Sequence, residues 1–150
     1  MHEIRIAVIG VAVHHGQFQA FRQQVNELGP VGVERADVEA LTAWLDWAFE
    51  QAKAALLLAL NRLTAQDRFN VIQFNSVTHV LFSQPQQVKP ETLRKAVHYV
   101  EQLKANGGTE ILPALKLALK GEAPATHLRQ VIFLTDGQVG NEDELFEVIR

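Results

Sequence analysis

At 150 residues the chain carries one domain's worth of sequence, enough to bury about 68 to 70% of the surface that its unfolded form exposes. Its 47% apolar and 21% charged content matches ordinary globular proteins and excludes wholesale disorder and a fibrous repeat. A formal charge of −3, with 14 scattered Lys and Arg and no cysteine, excludes a basic field for nucleic acid, disulfides, thiolate metal sites and thiol nucleophiles.

The first apolar run, residues 6–13, has the length of a signal-peptide core, but Glu3 interrupts the segment before it and His14 and His15 follow at once. Residues 4–13 therefore read as an interior strand, β-branched and nearly unbroken, covered on both faces. After Gly16, the spacing of Phe18, Phe21, Val25 and Leu28 predicts a helix over 17–28, closed by Gly29 and Pro30. A longer helical pattern runs from Ala36 to about Leu63, with a break expected near Phe49 because the run exceeds the usual globular length. The longest apolar stretch inside it, 54–60, is far below the roughly 18 residues needed to cross a bilayer, so no membrane insertion is expected.

Residues 69–75 and 77–82 read as two strands joined at Asn75 and Ser76, an antiparallel hairpin. Pro90 opens an amphipathic helix carrying Leu93, Val97, Val100 and Leu103, with a stop expected at Asn106, Gly107 and Gly108. Beyond Thr109 a short helix tolerates Pro113 within its first turn. Val131 to Leu134 form the next buried strand, and Asn141 is placed to cap a last helix whose acidic start, Glu142, Asp143 and Glu144, suits the positive end of the helix dipole. Strands alternating with helices imply an α/β fold: an open, mostly parallel, doubly wound, Rossmann-like sheet with an antiparallel edge hairpin. Ligands of such sheets sit at the carboxyl ends of the strands. The sequence stops on a helix, so the strands that would follow it are missing and the sheet is expected to be incomplete.

The strongest chemical signal is the pair GGTEILPAL and VIFLTDG, which bring Thr109 and Asp136 to loops beside strand ends. A hydroxyl and a carboxylate suit Mg2+ or Mn2+, which prefer hard oxygen donors. Taken alone, the two residues read first as a helix cap and a turn stabiliser, and only second as metal ligands.

Three blocks, EQAKAALLLALNRLTAQDRFNVIQFNS, NGGTEILPALKLAL and RQVIFLTDGQVGNEDELFEVI, resemble in order and spacing the von Willebrand factor type A (vWA) domain of proteins similar to inter-alpha-trypsin inhibitor heavy chains, including bacterial surface proteins. The resemblance covers 50–150 and leaves 1–49 as an atypical strand-helix segment. It implies a non-enzymatic protein-binding or adhesion module with a metal-ion-dependent adhesion site, in which a divalent cation bridges to an acidic residue of a protein partner. Such relatives are often secreted or surface-attached. The family site is built from an Asp-x-Ser-x-Ser sequence, a threonine and an aspartate. Thr109 and Asp136 match the last two as metal ligands. Laying VIGVAVHH on the first motif puts Gly10, Ala12 and His14 where the acid and two serines belong, and none supplies a side-chain oxygen. The departure implies weak or no binding of Mg2+ or Mn2+, and is consistent with a frameshift or rearrangement in the N-terminal part.

Other signals are weaker. His14 and His15 read as solvent-exposed loop residues before they read as ligands of a transition metal. IAVIG resembles the start of a dinucleotide-binding unit, but Ala12 and His15 stand at the second and third glycine positions. A nucleotide-binding fragment, or a truncated product without independent function, are the alternatives. Asp46, Glu50 and Lys53 mark a solvated helix face, and no motif of an enzyme nucleophile or phosphate loop is present, so no catalytic activity is expected.

Overall fold

The computed structural model describes residues 4–12, 35–104, 110–121, 125–135 and 142–149. In chain order these form β1 (Ile4–Ala12), α1 (Arg35–Asn61), β2 (Arg68–Phe74), β3 (Thr78–Val80), β4 (Gln86–Gln87), α2 (Pro90–Glu101), α3 (Ile111–Leu119), β5 (His127–Thr135) and α4 (Glu142–Ile149). The helix expected over 17–28 and the stop at Asn106, Gly107 and Gly108 lie outside the described residues.

The sheet has strand order β3-β2-β1-β5, with β4 also pairing with β2. β1 is central and parallel to both neighbours: Ile9 stands opposite Val71 and Ile132, and Gly10 opposite Ile72 and Phe133. β3 and β4 run antiparallel to β2. The fold is thus the open, mostly parallel α/β sheet with an antiparallel edge hairpin that the alternation of patterns implies. The hairpin turns through Asn75, Ser76 and Val77, where the Val77 amide donates to Asn75 Oδ1 at 2.8 Å, and β4 is an addition too short to leave a sequence signal.

Residues alternate across the strands to feed a core on each face. On one side Phe69 and Val71 of β2 pack with Phe49, Leu56 and Leu60 of α1 and Ala96 and Val100 of α2. On the other, Ile72 and Phe74 pack with Ile111, Ala114 and Ala118 of α3. Adjacent β5 residues divide in the same way, Ile132 and Leu134 toward the first cluster and Val131 and Phe133 toward the second. These four remain half-buried, unlike the buried β2 positions, because β5 is the last strand of the sheet among the described residues. The strand also begins four residues earlier than the apolar run suggests, at His127.

α1 is a single helix of 27 residues, so the break expected near Phe49 does not occur. The segment contains no glycine or proline to interrupt it, and Phe49 itself is buried in line with Leu56 and Leu60. α2 ends at Glu101, before the glycines, because Leu103 turns into the core beside Val100. At that end Lys53 of α1 donates to the Glu101 carbonyl at 3.3 Å, a cation at the negative end of a helix dipole. Among the described residues no helix is long and apolar enough to cross a membrane.

Tyr99, the sole tyrosine of the chain, is half-buried between α2 and β2 and donates its hydroxyl hydrogen to Gln73 Oε1 at 3.3 Å. Burial disfavours the phenolate and raises its pKa above the ordinary 10.0. Below pH 10 the proton is held in both folded and unfolded chains and stability is unaffected. Above it the unfolded chain loses the proton first, so stability falls as pH rises through the folded value. Absorbance of phenolate reads this group alone, and a midpoint at or below 10 contradicts the burial.

Candidate functional site

The site is framed by the carboxyl ends of the three parallel strands. β2 ends at Phe74, β1 at Ala12 and β5 at Thr135, with Ala12 directly opposite Thr135 and Val11 opposite Gln73. The three ends therefore lie side by side on one rim of the sheet, with β1 in the middle. Phe74 and Phe133 lock the outer strands just beneath it through an edge-to-face contact, ring centroids 5.8 Å apart.

Thr109 and Asp136 lie outside the described residues, but their chain neighbours do not. Asp136 is bonded to Thr135, the last residue of β5. Thr109 is bonded to Glu110, whose backbone amide donates to the Asn75 carbonyl at 3.0 Å. That bond fastens the start of α3 to the carboxyl end of β2. Sequence reasoning missed the role of Asn75 and Glu110, although Asn75 falls at the end of the matching FNS block. Glu110, rather than Thr109, is the N-cap residue of α3, and its side chain makes no capping bond.

At its far end, α3 is held to the opposite half of β5. Arg129 donates from its guanidinium to the carbonyls of Leu119 and Gly121, and Gly121 takes a positive φ of 79° that suits glycine. α3 thus runs from the carboxyl rim down the length of the sheet.

Gly10 and Ala12 offer β1 no side-chain oxygen, and an octahedral Mg2+ site needs oxygen donors around the ion. Among the described residues no group of three or more His, Asp or Glu is placed to hold a metal. His14, His15 and Gly16 lie outside the described residues. The dinucleotide alternative fails locally: the strand continues past Gly10 to Ala12, so Gly10 sits within the ladder rather than in the strand-to-helix turn that admits a phosphate. Glu50 and Asp46 are exposed and Glu50 pairs with Lys53 at 3.2 Å, as a solvated helix face should.

The sequence profile of the von Willebrand factor type A domain matches residues 47–150. A von Willebrand factor A domain-containing protein of Dictyostelium discoideum is 36% identical over 101 residues, 67% of this chain and 11% of that protein. Protein 5B1 of the same description from Homo sapiens is 33% identical over 104 residues, 69% of this chain and 8% of its own length. Protein 5A from Mus musculus is 38% identical over 102 residues, 67% of this chain and 12% of its own. The chain therefore spans about a tenth of these relatives. Among solved structures, the von Willebrand factor type A protein from Catenulispora acidiphila superposes on 99% of this chain and 30% of its own with a TM-score of 0.64 at 20% identity, a likeness of fold. That likeness takes in β1, which precedes the profile match. With the profile spanning 47–150 and the relatives sharing about a third of their residues with it, the chain belongs to the von Willebrand factor type A domain family.

Proposed function

We propose that the chain is a non-enzymatic protein-binding or adhesion module whose contact surface is the carboxyl rim, with an incomplete metal-ion-dependent adhesion site. Thr109 and Asp136 are its remaining metal ligands, and the partner class is a protein that presents an acidic residue. Domains of this family are generally protein-interaction modules. In a complete site the cation keeps an open coordination position that a partner carboxylate fills. Here Mg2+ or Mn2+ is held weakly or not at all, because Gly10, Ala12 and His14 stand in sequence where the motif's acid and serines belong and supply no side-chain oxygen.

The observation that carries this reading is the anchoring of Glu110 to Asn75 on one side of β1 and the end of β5 at Thr135 on the other. Titration of Mg2+ and of Mn2+ into the purified chain, followed by calorimetry, tests it. The expected result is no saturable heat below millimolar concentration. Saturation in the micromolar range contradicts an incomplete site.

A further inference from the structure

We infer that the outer edge of β5 is a self-docking surface, on which a second copy of this chain pairs its own β5 antiparallel about Val131 and continues the sheet across a twofold axis. Among the described residues β5 is the last strand, paired with β1 on one side only. The two edges of the sheet differ. β3, at the other edge, is three residues long, and so short an edge gives a foreign strand little to pair with. β5 is nine residues long, and from Gln130 to Thr135 it carries neither charge nor proline. That is the composition of an interior strand. Ile132 and Leu134 pack toward one core cluster and Val131 and Phe133 toward the other, and all four stay half-buried. Large apolar side chains extend the surface beyond the strand: Leu128 is 53% exposed, and Phe146 and Ile149 of α4 are 59% and 61% exposed.

Charge selects the occupant. The amino end of β5 is basic: His127 and Arg129 stand on it, and exposed Lys120 adjoins Gly121, whose carbonyl accepts from Arg129 at 2.8 Å. The carboxyl end is followed by α4, where Asp143, Glu144 and Glu147 are exposed and Leu145 holds the helix against the cluster of Phe74 and Ile111. An antiparallel copy sets the basic end of each β5 beside the acidic end of the other, twice over, whereas a parallel copy sets like beside like. Full overlap of the nine residues puts His127 opposite the partner's Thr135 and Val131 opposite the partner's Val131. The axis then stands normal to the sheet, so both α4 helices lie on the same face and their exposed Phe146 and Ile149 close over the new seam. Such a contact is isologous and is complete at two chains.

Sedimentation equilibrium over a roughly hundredfold range of concentration is expected to show monomer in equilibrium with dimer. Leu128→Glu and Phe146→Glu, both at exposed positions, are expected to weaken the dimer at least tenfold with unchanged circular dichroism. Val77→Glu, exposed at the opposite edge of the sheet, is expected to leave it as it was. The register has its own readout, because the chain has no cysteine. Directly opposed residues of an antiparallel pair have Cβ atoms about 4.5–5.5 Å apart, so Val131→Cys should link to its partner under mild oxidation while Val77→Cys stays single. A monomer at every concentration overturns the inference. So do a dimer that withstands both glutamates at 128 and 146, a dimer lost at Val77→Glu, species larger than two chains, or a dimer in which Val131→Cys does not link.

Discussion

Phe74→Ala is expected to lower the stability of the chain by about 3–5 kcal/mol. Phe74 has no solvent exposure and sits in the core cluster of Ile72, Ile111, Ala114 and Ala118. Truncating it removes the buried ring and leaves a cavity that α3 and β2 relax only partly to fill. It also breaks the edge-to-face contact with Phe133, a contribution of about 0.5–1.5 kcal/mol beyond burial. Domains of this size have a net stability of about 5–15 kcal/mol, so the loss is a large share of the total. A fall in Tm of roughly 6–20 °C follows. Phe74 is also the residue before Asn75, so the variant should loosen the attachment of Glu110, seen as faster amide exchange at that residue than in the strand interior. A fall in Tm below about 3 °C contradicts the packing described.

The second large effect is at Asn70, a buried polar residue in the middle of β2. Its amide substitutes for a strand rung: Nδ2 donates to the Phe82 carbonyl at 2.7 Å, and Oδ1 accepts from the Phe82 amide at 3.0 Å and from the Val71 amide at 2.9 Å. The segment between β3 and β4 is held against the sheet by these bonds, which bring Phe82 edge-on to Phe69 at 5.8 Å. Asn70→Ala leaves the backbone groups of Phe82 and the amide of Val71 without that partner, at a cost of about 2–4 kcal/mol. Asn70→Asp keeps the acceptor but removes the donor and buries a charge, so it is expected to be no milder at neutral pH. Urea unfolding measures both, with the midpoint falling and the slope unchanged. A cost below about 1 kcal/mol for Asn70→Ala shows that the segment holds without this residue.

Much of the architecture is legible in the residues because the local signals and the burial agree. The nearly unbroken apolar strand at Ile4 to Ala12 has the composition of a strand flanked on both sides, and it lies inside the sheet between β2 and β5. Pro90 opens α2, and Pro113 falls in the first turn of α3, as the chemistry of proline requires. What is not legible depends on tertiary contact. The length of α1 reflects Phe49 being held in the core rather than any local signal. The end of α2 depends on Leu103 turning inward, and β4 exists because Asp67 and Val88 bond across the strand ends, with the Val88 amide 3.1 Å from the Asp67 carbonyl.

The rim divides in the same way. Thr109 and Asp136 are conspicuous because they stand in blocks of family sequence. Asn75 was overlooked because its contribution is a backbone carbonyl, and any residue type offers one.

The proposed contact rim requires that residues 109 and 136 converge over the end of β1. The chain has no cysteine, so a double variant, Thr109→Cys with Asp136→Cys, reports on that distance through its own thiols alone. Treated with a bifunctional maleimide of about 8 Å span, the variant is predicted to close an intramolecular bridge at high yield. A pair at opposite ends of α3 and β5, Lys120→Cys with Asp136→Cys, is separated by roughly 20 Å by strand rise and is predicted to stay open. A bridge in the second pair and none in the first, in chains that melt like the unaltered protein, contradicts the account.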